Sequence, residues 1–200
     1  VGAAGGPFER RAPGTVRAGY VLEAVTLGWN VVGVVVLAVA ALAARSVALA
    51  GFGIDSLIEI GASTVVIWEL GGVAGDRRRR AMRLIGAAFV ALGVYLAVQS
   101  SVVLAVGAHP RHSPLGIVWT ALTAAAMFGL AAGKARVGAA LDNPVVRAEG
   151  RVTFVDGVLA TAVLAALALN AAAGWWWADP VVGFVLLAYA GREAVAALRH

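Results

Sequence analysis

Six stretches of this 200-residue chain are long and apolar enough to cross a lipid bilayer. A membrane helix needs about 20 consecutive, mostly apolar residues. The stretches run from Gly19 to Ala44, Val47 to Leu70, Leu84 to Ala108, Leu115 to Gly133, Val145 to Ala172 and Pro180 to Leu198. Inside hydrocarbon the backbone must satisfy its own hydrogen bonds, so runs of this length read as helices. The sequence therefore predicts an all-α membrane protein with six transmembrane helices. Residues 1–18 read as a flexible tail and residues 19–200 as one membrane domain, because no connection is long enough to fold separately. The first run is too long for the core of a signal peptide.

Composition excludes several other classes. Hydrophobic residues make up 61% of the chain and charged residues 14%, against about 45–50% and about 25% in soluble domains. With no cysteine there are no disulfides, thiolate metal sites or cysteine nucleophiles. The net charge of +5 comes from short basic clusters between apolar runs. That is how membrane proteins carry positive charge, so a nucleic-acid partner is not expected.

The basic residues also predict orientation. With both termini inside, the inner side collects 14 of the 16 Lys and Arg residues, among them Arg77 to Arg80, and only Arg45 and Arg111 fall outside. Both termini are thus expected in the cytoplasm. Trp175, Trp176 and Trp177 would then lie at the outer interface, where indoles prefer to sit. Arginine rather than lysine predominates, and Ala, Val and Gly are abundant. The expected location is a bacterial plasma membrane.

The residues most in need of explanation are acidic. Asp55, Glu59 and Asp156 fall near the middle of the second and fifth runs. An Asp at the centre of a membrane helix costs about 2.5–3.5 kcal/mol on an insertion scale. Lys134 falls in the connection after the fourth run, and Arg45, Arg147 and Arg151 lie toward helix ends, so no embedded counter-charge is expected. Such a group binds cations, binds protons or faces a watery cavity. The competing structural reading is protonated carboxyls hydrogen-bonded between helices. Glu69 and Asp179 are expected at membrane edges.

Spacing sharpens the pattern. Asp55 and Glu59 are four residues apart, so they share a helix face about 6 Å apart along the axis. Glu149 and Asp156 are seven apart and share a face about 10.5 Å apart. Glu23 opens the first helix, with Thr26 and Asn30 one and two turns deeper. A midplane group of Asp55, Glu59 and Asp156 follows, with Glu149 and Glu23 at a cytoplasmic mouth. Clustered carboxylates repel unless a cation or proton sits between them. Oxygen ligands suit a divalent cation. Asn30 is either a further oxygen ligand or an interhelical hydrogen bond. His109 and His112 lie in an outer connection and read as surface residues.

Two segments resemble a known family. Ser46-Val-Ala-Leu-Ala-Gly-Phe-Gly-Ile-Asp55-Ser-Leu-Ile-Glu59 resembles the second helix of cation diffusion facilitators. Val145-Val-Arg-Ala-Glu149-Gly-Arg-Val-Thr-Phe-Val-Asp156 resembles their fifth, and Trp175-Trp-Trp-Ala-Asp179-Pro180 the approach to their sixth. The resemblance implies proton-coupled efflux of a divalent metal from the cytoplasm. Asp55, Glu59 and Asp156 would be its ligands, and Glu149, Glu23 or Asn30 an additional ligand or part of the mouth. It departs from the family in three respects. Val152 stands where the family has a histidine ligand, Glu59 where it has Asp, and the cytoplasmic C-terminal domain is missing. The missing domain marks either a short branch of the family or a truncation. The expected cargo is Zn2+ first, then Mn2+, Fe2+ or Co2+. The metal is substrate, no cofactor is expected, and a homodimer would rest on membrane helices. The chain carries no phosphate loop, nucleophile set or zinc-hydrolase spacing, so an enzyme is not expected. The alternative is a non-transporting metal-binding or partner-regulating membrane module of the same fold, which Val152 favours.

Overall fold

The structure is a computed structural model that describes residues 13–70 and 76–198. It contains six helices: α1 (Pro13–Ala44), α2 (Val47–Leu70), α3 (Asp76–Val106), α4 (Pro114–Ala140), α5 (Pro144–Ala173) and α6 (Ala178–Leu198). Four contain runs long and apolar enough to span a bilayer: Gly14–Ala44, Phe89–Val106, Pro114–Ala140 and Glu149–Ala173. Such runs mark an integral membrane protein. α2 holds Asp55 and Glu59 mid-length, and α6 holds Asp179, Arg192 and Glu193.

The distribution of side chains agrees with lipid as the outer solvent. On α1 the exposed residues include Val21, Val25, Val32, Val35, Val39 and Leu42, while Glu23, Thr26 and Asn30 are buried. A water-soluble helix would show the reverse pattern. An apolar core of Leu37, Leu49, Phe52, Leu96, Val163 and Leu186 fills one part of the interior. The helices pack most extensively as α1 with α2, α3 with α6 and α4 with α5. α2 also touches α3, α5 and α6, less extensively.

Three helix boundaries differ from the sequence reading. α1 begins at Pro13, inside the expected tail, and residues 1–12 of that tail lie outside the described residues. α3 begins at Asp76, so Arg77 to Arg80 are helical rather than part of a connection. α4 continues past Gly133 to Ala140, which places Lys134 inside a helix. Charge alone does not stop a helix. The stop here is Asp142, whose φ of +46° is left-handed, followed by Asn143 and Pro144. The Asn143 side chain accepts a bond from the Val146 amide, and α5 begins at Pro144.

The α1–α2, α3–α4 and α5–α6 connections gather at one end of the bundle. The Arg111 amide donates to the Ala44 carbonyl (2.7 Å), and the Asn170 side chain donates to the Pro110 carbonyl (3.0 Å). Arg45 turns the chain between α1 and α2 with a left-handed φ of +53°. Asp179 lies in this end too, buried against the α1–α2 turn. Its carboxylate accepts from the Ser46 hydroxyl and from the amides of Val47 (2.9 Å) and Ala48 (3.2 Å). An acid from α6 thus caps α2, supplying acceptors to amides that have no partner inside the helix. Removing it leaves buried donors without partners. Asp179→Ala should therefore cost about 3 kcal/mol, read as a lower thermal unfolding midpoint in detergent, with Ser46→Ala giving a smaller drop. Equal midpoints for wild type and Asp179→Ala would contradict the cap.

Candidate cation site

Three helices carry the polar interior. On α1, Glu23, Thr26 and Asn30 recur at helical spacing and are buried. On α2, Asp55, Ser56, Glu59 and Ser63 form a second buried polar stripe. On α5, Glu149, Thr153 and Asp156 form a third. The helical period alone brings each set to one face. Packing of α2 against α1 and α5 turns the three faces inward together.

The midplane acids differ in how they are satisfied. Asp55 is 1% exposed, and neither of its carboxylate oxygens has a hydrogen-bond partner within the protein. Glu59 accepts one bond at Oε2 from the Asn30 side-chain amide (2.9 Å), and its Oε1 has no partner. Asn30 also donates to the Thr26 carbonyl at 3.1 Å, which fixes its amide toward α2. Of the two roles open to Asn30, the structure shows the interhelical hydrogen bond. Asp156 is buried on α5 and lies within electrostatic reach of both Asp55 and Glu59. Among the described residues, no three His, Asp or Glu side chains stand close enough together to hold one metal ion. These carboxylates share a region of the interior without forming a closed cage in this conformation.

Glu23 and Glu149 come together around a partner that the sequence reading does not give them. Both pair with Lys134, which is 0% exposed. Its ammonium lies 3.1 Å from Glu23 Oε2, forms an ion pair with Glu149, and donates to the Thr153 hydroxyl at 3.2 Å. The expectation that no basic residue is embedded is therefore wrong, because Lys134 is a buried counter-charge. The reason is the length of α4. The buried stripe Thr120, Thr123, Met127, Ala131, Lys134, Gly138 keeps helical spacing without a break. That period was visible in the sequence, but a reading that ends the helix at its first charge misses it. Gly150 lets α5 approach closely here. A Cβ at that position would stand 3.1 Å from the Lys134 Cβ, tighter than ordinary contact.

The other candidates stay at the far end. His109 lies against the Trp176 ring, with centroids 4.8 Å apart, and His112 is exposed. Trp175 and Trp177 stack on each other and are exposed. Val152 is half-buried between buried Thr153 and exposed Arg151 and offers no ligand atom. The side chain of Glu69 lies outside the described residues.

No protein-family model matches this chain, and no curated protein matches its sequence.

Breaking one partner of a buried ion pair strands the other charge, at a cost of about 3–5 kcal/mol. Lys134→Met should therefore lower the thermal midpoint strongly. Adding Glu23→Gln and Glu149→Gln to it should recover most of the loss, because no charge is then stranded. A double-mutant cycle between Lys134 and Glu23 with no coupling energy would contradict the pairing.

Proposed function

We propose that the protein is a divalent cation transporter of the cation diffusion facilitator type. It would move Zn2+, or Mn2+, Fe2+ or Co2+, out of the cytoplasm in exchange for protons. The observation that carries this reading is Asp55. Its carboxylate is buried in an apolar bundle, has no hydrogen-bond partner at either oxygen, and has Glu59 and Asp156 nearby. An ionised carboxylate cannot rest there alone, because removing its hydration costs several kcal/mol. It must hold a proton or a cation. A site that alternates between those two states is the chemical basis of exchange.

The packing supports motion at this place. α2 and α5 carry the three acids but pack against each other far less extensively than α4 packs on α5 or α1 on α2. Rocking of the α4–α5 pair against α2 would bring Asp156 toward Asp55 and Glu59, closing a site that is open here. Carboxylate oxygens suit Mn2+ and Mg2+ as well as Zn2+, and Val152 in place of a histidine weakens the preference for zinc. In this reading all six helices cross the membrane, both termini are cytoplasmic, the membrane is a bacterial plasma membrane, and two copies associate through their helices.

A second reading is favoured by Val152 and by the ungathered ligands. In it the chain is a membrane module that binds a metal or a partner without turnover.

Exchange predicts proton release on metal binding. Calorimetry of Zn2+ binding in buffers of different ionisation enthalpy should show at least one proton released per metal. Asp55→Asn and Asp156→Asn should each abolish both binding and release while the thermal midpoint holds. Zn2+ or Mn2+ binding that survives both substitutions would overturn the site.

A further inference from the structure

Lys134 is a buried charge that the transport reading does not use. Its surroundings resemble a cation site more than a packing contact. The ammonium is met by oxygens from two other helices: Glu23 Oε2 from α1 at 3.1 Å, Thr153 Oγ1 from α5 at 3.2 Å, and the Glu149 carboxylate from α5. Thr153 in turn donates to Glu149 Oε1 at 3.4 Å, which orients that carboxylate. Two carboxyl groups face one ammonium, so the cage holds one acid more than it has bases. Glu23 Oε1 is buried there and has no hydrogen-bond partner. A purely structural ion pair needs only one acid. A cage with an excess acid and an unpartnered oxygen is built for more positive charge than one ammonium brings.

We infer that Glu23, Glu149 and Thr153 form a second cation-binding cage, kept plugged by the tethered ammonium of Lys134. Its ligands are all oxygen, so the class of cation it would take is a hard divalent ion such as Mn2+ or Mg2+. The cage also lies close to the midplane acids. Lys134 and Glu149 both act electrostatically on Glu59 and Asp156. The two sites are therefore neighbours, with the cage toward the end of the bundle that carries the α4–α5 turn. If the transport reading holds, and on that reading only, the plug is a gate: a cargo ion reaches Asp55, Glu59 and Asp156 from that end only when it displaces Lys134. Emptying the plug by substitution should then expose a cage that binds a free ion.

The test is equilibrium Mn2+ binding, followed by electron paramagnetic resonance, on the purified full chain in detergent. Lys134→Ala should bind one more Mn2+ per chain than wild type, or bind it at least tenfold more tightly. Adding Glu23→Gln and Glu149→Gln should remove that extra ion, whereas adding Asp156→Asn should leave it. Should Lys134→Ala fold poorly, n-propylammonium replaces the three methylenes and ammonium that the substitution deletes. It should raise the thermal midpoint of Lys134→Ala but not that of the variant lacking both glutamates. An extra ion that persists without the two glutamates overturns the cage, as does a Lys134→Ala protein that gains neither Mn2+ nor stability from the amine. The outcomes separate from those of the transport reading. A wild type that moves no metal, together with an extra Mn2+ in Lys134→Ala, defeats transport and keeps the cage. Metal flux in wild type with no extra ion defeats the cage and keeps transport.

Discussion

The arrangement of this bundle follows from the need to neutralise carboxylates that have left water. Among the described residues, the buried acids at the end with the α4–α5 turn outnumber the one buried base there. Lys134 satisfies Glu23 and Glu149 together and so fixes α1, α4 and α5 relative to one another. Without that ammonium two acids would be stranded, and the helices carrying them would have reason to separate or to admit water. With it, the acids that have no basic partner are the ones deeper in the bundle, Asp55, Glu59 and Asp156.

The two ends of the molecule solve the same problem differently. At the end with the α1–α2 and α5–α6 turns, Asp179 is matched by one hydroxyl and two backbone amides, which need no opposite charge. That acid is fully engaged and reads as architecture. At the other end Lys134 supplies a whole charge. Between them Asp55 has neither amides nor a base. The contrast within one structure separates acids that hold the fold from an acid that no donor in the protein satisfies. Asn30 marks the border, because its amide gives Glu59 one bond and leaves the second oxygen for another partner.

Much of this was legible in the sequence, for identifiable reasons. Apolar runs of bilayer length gave six helices with correct order, because backbone satisfaction in lipid leaves no other local structure. Periodicity placed Glu23 with Asn30, Asp55 with Glu59 and Glu149 with Asp156, and each set is buried. The difference came where charge reads as a sign of water. Lys134 reads as part of a connection because it is charged, yet the helix ends only at Asp142 and Pro144. The partners of Lys134 and of Asp179 lie on helices distant in sequence, about which a helical period carries no information. The pairing of Lys134 with Glu23 spans 111 positions and that of Asp179 with Ser46 spans 133.

The central proposal is that Asp55, with Glu59 and Asp156, exchanges a metal for protons across the membrane. The most direct measurement is Zn2+ and Mn2+ movement into proteoliposomes under an imposed pH gradient, wild type beside Asp55→Asn. The account predicts uptake that follows the gradient, is accompanied by counter-movement of protons, and disappears in the variant while the protein stays folded. Uptake that ignores the gradient, or that Asp55→Asn leaves intact, would contradict it.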